Sequence, residues 1–264
     1  MVSVLAIALL AVASGGAPAP ASKASTVPIP TNPAASDGVA GLLARLDSLH
    51  LRRDDDAALA EAHRLVETVL RTEPNDYGVL WRAARVRFTE SDRPSISASE
   101  HSRLGKEAYD LAERAIAANP NDVAGHYWAA LSIGSYAEGM GVVRALANGI
   151  EGKFKRPLER ATALDVRYDH GSIPVVWAAY YLELPWPKRD RDKARHELQR
   201  ALEINPHNLR ARLYQARIAL DEGRRAEAEA LGATIAAAPV GAYDPPEERR
   251  VKREALQLLA TGPR

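Results

Sequence analysis

One spacing recurs along this chain and limits what it can fold into. A small residue is followed by an apolar residue four positions later, a small or apolar one three after that, and a proline five further on. Ala62–Val66–Val69–Pro74, Ala108–Ala112–Ala115–Pro120 and Ala194–Leu198–Ala201–Pro206 follow it in full. Ala228–Gly232–Ile235 repeats it with Pro239 one residue early, and Phe154–Leu158–Ala161–Val166 repeats it without the proline. Offsets of zero, four and seven share one face of a helix. Small residues there let a second helix approach closely. The proline ends that helix, and an Asn or Asp just beyond it can cap the next one. Pro74-Asn75-Asp76, Pro120-Asn121-Asp122 and Pro206-His207-Asn208 all have that form. Each copy therefore marks the second helix of a pair, and each proline marks the step to the next pair.

First helices are predicted at 39–51, 77–90, 123–136, 173–184 and 209–222, with a capping helix at 247–259 over the face the last pair leaves exposed. The expected fold is all-α: a superhelix, or solenoid, of about five helix pairs with inserted helices and a C-terminal cap. The junctions fall 46, 46, 40 and 33 residues apart. A minimal pair needs about 34 residues, so the earlier pairs carry insertions, chiefly at 91–105 and 137–155. Insertions in such an array gather on one face, often the binding face.

The N-terminus differs in kind. Val4 to Ala13 is unbroken apolar sequence, too short to span a bilayer and of the length of a signal-peptide core. Ala11-Val12-Ala13 offers a small-x-small cleavage site, although no Lys or Arg precedes the run. Residues 1–13 are read as a signal peptide, 14–36 as a disordered Ala/Pro/Ser linker and 37–264 as the helical-repeat domain. The expected location is periplasmic or secreted, with no membrane contact after signal removal. There is no cysteine, which excludes disulfides, thiolate chemistry and a lipoprotein anchor. The formal charge is +1, which gives no reason to expect nucleic acid.

The junctions and the alanine ladder resemble the tetratricopeptide-repeat (TPR) superfamily across roughly residues 38–239. Three stretches look more specifically like the TRAP-transporter T-component family and the related microtubule-dynamics-regulator-like proteins. They are Tyr127-Trp128 with Ser135-Tyr136-Ala137-Glu138-Gly139, the run from Leu164 to Gly171, and the Leu184-Pro185-Trp186-Pro187 break. This resemblance implies an exported scaffold that associates with a periplasmic substrate-binding subunit or forms ring-like homo-oligomers. Typical T-components are lipoproteins; this chain departs from them in lacking cysteine.

Function is accordingly expected to be binding, with no cofactor and no catalysis. Tyr127/Trp128 and Tyr180/Tyr181 are adjacent aromatics. Neighbours on a helix point about 100° apart, so one member of each pair should leave the core. Tyr127, Tyr136, Tyr180, Tyr181 and Trp186, with Met140 and Val143 from the glycine-flanked apolar stretch 139–147, are the expected ligand- or partner-binding residues. Asp169-His170 suggests an acid–base pair, but adjacent residues rarely converge and no nucleophile accompanies them. A helix-junction role is expected instead. No histidines stand four apart and no HExxH motif occurs, so no zinc site is expected. Three functions fit: an accessory component of a TRAP-type uptake assembly, a binder of a small apolar ligand in a groove or pore, and an intracellular TPR scaffold.

Overall fold

The computed structural model describes residues 38–261 apart from 142–146, 148 and 186. Among the described residues there are eleven helices and no strand. Five antiparallel pairs follow one another: α1 (Val39–His50) with α2 (Asp56–Thr72), α3 (Tyr77–Ser91) with α4 (Ala98–Ala118), α5 (Val123–Met140) with α6 (Ile150–Asp165), α7 (Tyr168–Glu183) with α8 (Arg191–Ile204), and α9 (Leu209–Asp221) with α10 (Arg225–Ala237). A last helix, α11 (Pro245–Thr261), packs on α9 and α10. The signal-peptide and linker readings of residues 1–36 lie outside the described residues.

The recurring spacing has the structural meaning its periodicity implies. All fifteen of its helical positions, from Ala62, Val66 and Val69 through Ala228, Gly232 and Ile235, are buried. The post-proline caps form as well. The Asp76 side chain accepts from the Val79 amide, Asp122 from Ala124 and Asn208 from Ala211. Each satisfies an amide that would otherwise be orphaned at a helix start, worth about 1 kcal/mol.

Small residues set how closely the second and third pairs approach. Gly105 of α4 faces the α5 backbone so tightly that a Cβ there would lie 2.6 Å from the Tyr136 amide nitrogen. Gly139 at the end of α5 returns the contact, with Ser102 N 2.7 Å from its Cβ position. This close α4–α5 step seats α5 at the centre of the main core. Every residue of α5 from Ala124 to Ser135 is buried. Helices α3, α4, α6 and α7 surround it.

Candidate functional site

That central position corrects one expectation. Tyr127 and Trp128 are both buried. Adjacent residues do point apart, but α5 has core on nearly every side: Tyr127 is wholly enclosed, and Trp128 reaches only the wall of an internal concavity. Tyr180/Tyr181 divide as the geometry of a helix predicts. Tyr180 is buried, stacks on Phe154 and donates its hydroxyl to Glu151 at 2.6 Å. Tyr181 is half-buried, lies face to face with Trp177 and carries the Lys193 ammonium over its ring. Tyr136 and Met140 are half-buried against the core. Val143 and Trp186 lie outside the described residues. The expected binding residues that are described belong to or pack against the main core, and none of them lines the large concavity beside α11.

That concavity is a chamber of about 650 Å³ on the inner side of the superhelix. Its far wall is α11, through Glu247, Arg250, Arg253, Glu254 and Gln257. Its near wall comes from the first three pairs, with Phe88 and Trp128 as an apolar floor. These rings are 5.7 Å apart, and His50 stands edge-on to Trp128 at 6.2 Å. Burial, reinforced by Arg85 and Arg53, pushes the His50 imidazole well below its usual pKa, so it faces the chamber neutral. Burial also lowers His101, against the pull of Asp92. His101 is hydrogen-bonded to Ser135 at 2.8 Å.

The charged residues at the rim are paired almost throughout. Arg53 binds both oxygens of Asp244, Arg249 both of Asp54 and Arg250 both of Asp92. Arg93 pairs with Asp56 at 2.6 Å. Among the described residues Arg253 is a chamber-facing cation with no ion pair. Ion pairing between residues so far apart in sequence has no local signature, which is why these positions were invisible to periodicity. The spacing of Arg250 and Arg253, on one side of a predicted helix, is the one hint the sequence held.

Behind Glu247 the chamber backs onto a buried polar knot. The chain runs through three consecutive left-handed residues, Asp169 (φ 52), His170 (φ 58) and Gly171 (φ 79). Only glycine adopts that conformation freely; the other two cost on the order of 1–3 kcal/mol each. The turn aims the Asp169 carboxylate inward, where it accepts from the Tyr127 hydroxyl at 3.1 Å. His170 turns away and packs against Tyr243. The two are therefore no acid–base pair, and the helix-junction role fits what they do. Burial, then the nearby Asp244 charge, raises the Asp169 pKa. Burial alone would raise Glu247 also, but Arg210, 2.8 Å away, overrides it and holds that carboxyl well below the carboxylate range. A void of about 10 Å³ lies among Asp169, Ser172, Arg210, Asp244 and Glu247, room for about one water molecule.

Among the described residues no cluster of histidine, aspartate or glutamate side chains converges as a metal site. Likewise, no helix is long and apolar enough to cross a membrane.

Comparison with known proteins adds to this geometry. The family model described as "Regulator of microtubule dynamics protein 1-3" matches residues 42–171. Regulator of microtubule dynamics protein 1 of Bos taurus is 31% identical over 119 residues, 44% of this chain and 37% of that protein. The Mus musculus protein of the same name is 28% identical over 132 residues, 49% of this chain and 42% of that protein. The chain spans well under half the length of these relatives. Among solved structures, a thermophilic TPR protein from Thermus thermophilus superposes with a TM-score of 0.59 at 22% identity, covering 83% of this chain and 99% of that one. The likeness establishes the fold as TPR-like. The matched stretch includes the Tyr127–Gly171 region, and the model that matches it is that of the microtubule-dynamics regulators.

Proposed function

We propose that this protein is a non-catalytic TPR-like scaffold that takes a short segment of a partner protein into the chamber facing α11. The observation that carries the reading is the chamber itself. It joins a floor formed by the edges of the buried Phe88 and Trp128 rings to a rim of hydrogen-bonding side chains that includes Arg253, which has no ion pair among the described residues. A volume of about 650 Å³ suits a few side chains of an extended or turn-like segment, anchored by one apolar group and oriented by polar ones. The match of residues 42–171 to a family of regulators supports a scaffold working inside the cell over a part in solute uptake. The aromatic floor also suits a small apolar ligand, and the two occupants are separated by one experiment.

A photo-crosslinking amino acid at position 253 should capture one protein, through one mappable peptide, in extracts of the source cells. The same group at Glu203, on the exposed side of α8, should not. Native mass spectrometry of the purified protein should show its bare mass. A retained small molecule, with no position-dependent crosslink, would replace the scaffold reading by the ligand-binding one. Capture only with a periplasmic solute-binding protein would restore the uptake reading and the exported location.

A further inference from the structure

The two ends of the superhelix touch, and they touch almost entirely through charge. Arg53 and Asp54, in the turn after α1, reach Asp244 and Arg249 at the start of α11. Asp92, just past α3, reaches Arg250. All three contacts are two-point arginine–carboxylate pairs, the geometry in which such pairs are strongest and most directional. Apolar packing does not follow the same path. The core of the first pair and α3, built on Leu46, Leu49, Leu59, Val66 and Val79, shares no residue with the clusters that root α11 on α9 and α10 through Val251 and Ala255. The hydrophobic effect thus binds each helix to its neighbours along the array, while the closure from end to end is ionic.

We infer that these three pairs form a latch that holds the chamber partly shut and gives way to competing charge. The moving parts are the two ends of the superhelix, with α11 travelling on α9 and α10. The bend is shared among the successive pair interfaces. The contacts differ in exposure. Asp54–Arg249 lies at the surface, where salt screens it, whereas Arg53–Asp244 is nearly buried and screened far less. The outer pair yields first and the inner pair sets the closed position. When the ends part, the wall carrying Arg250 and Arg253 moves off the Phe88–Trp128 floor and the chamber mouth widens. That this opening admits the partner rests on the function proposed above; the latch itself does not.

Because the chain has no cysteine, introduced thiols are unique reporters. Spin labels at Arg52→Cys and Leu256→Cys, on the two ends, report their separation by pulsed electron resonance. A single thiol at Thr89→Cys, on the chamber wall, reports access through its reaction rate with a bulky maleimide. Asp54→Arg should shift the label distribution to longer distance, broaden it and speed the Thr89→Cys reaction severalfold. The exchanged pair Asp54→Arg with Arg249→Asp should restore both. Raising salt from about 0.05 to about 1 M should move the unsubstituted chain in the same direction, which keeps the test sound should Asp54→Arg fold poorly. A distance distribution indifferent to salt and to charge reversal overturns the latch. Ends that part while the Thr89→Cys rate stays constant overturn its control of access. Neither readout involves the partner, so failure of the position-253 crosslink would sink the proposed function without touching the latch.

Discussion

Arg53 and Asp244 lie 191 positions apart, yet they meet through two parallel hydrogen bonds of 2.8 and 2.7 Å, with both side chains only 9% exposed. Asp169 lies close enough for its charge to act on both. One guanidinium therefore serves two buried carboxylates. Removing one member of such a cluster costs more than the pair contributes, because it strands the other charge out of water.

Arg53→Met is expected to destabilise the protein by about 3–5 kcal/mol at neutral pH. The loss should shrink in acid. Without Arg53, Asp169 loses a cation that opposes its rise, and its folded-state pKa, already raised by burial and then by the Asp244 charge, climbs further. A raised folded value gives stability that is present below the unfolded pKa and lost as pH climbs through the folded one. Chemical denaturation at about pH 5 and pH 7.5 checks this. A deficit independent of pH would mean that lost packing, and not stranded charge, dominates.

Two glycines should respond oppositely to the same substitution. A Cβ on Gly105 meets the Tyr136 backbone at 2.6 Å. Backbone on both sides cannot yield cheaply, so Gly105→Ala should cost about 1–3 kcal/mol despite alanine's better helix propensity. Gly152 in α6 has nothing within 4 Å of its Cβ position. There the propensity gain stands alone, and Gly152→Ala should stabilise by up to about 1 kcal/mol. Thermal melts of the two variants decide it.

Ala201 of α8 is fully buried against α7, its carbonyl 3.3 Å from where a Gly171 Cβ would stand. Ala201→Trp should wedge that pair apart and cost on the order of 1–3 kcal/mol or more. An unchanged unfolding midpoint would mean that α7 and α8 do not meet in this register.

Acid should loosen the C-terminal end. Glu247 has a folded pKa well below its ordinary 4.5, and Asp54 and Glu254 are lowered too, all through arginine neighbours that outweigh burial where burial opposes them. Lowered values give stability that is present above the unfolded pKa and is lost as pH falls through the folded one. Asp169, with its raised pKa, works in the opposite sense but is outnumbered. Melting temperature should therefore fall as pH drops below about 4.5. Glu247→Gln should flatten that fall while lowering the melting temperature at pH 7.

The pairs were legible because their signals are local. A period of 3.6, a proline and a cap all lie within one helix and its exit, and so Ala108, Ala112, Ala115 and Asp122 can be assigned from their spacing alone. The burial of both Tyr127 and Trp128 was not legible, since nothing within α5 states how many helices surround it. The left-handed turn at Asp169 left a faint trace, because Asp and His tolerate that conformation better than most residues and Gly171 follows them. The chamber left almost none. It exists because α11 lies opposite α3 and α5, a relation set by the accumulated rotation of five pairs and sealed by single charges such as Asp92 and Arg250.

A linear array of repeats is stabilised by each unit and its neighbours, so its terminal units, with one neighbour each, fray first. The Arg53–Asp244 contact makes the first and last units neighbours. In thermodynamic terms the chain is a ring whose terminal units each have two partners, and neither end can peel away without breaking the bonds that hold the other. Denaturant should meet one cooperative block, with amide protons of α1 and α11 exchanging in step despite standing at opposite ends of the sequence.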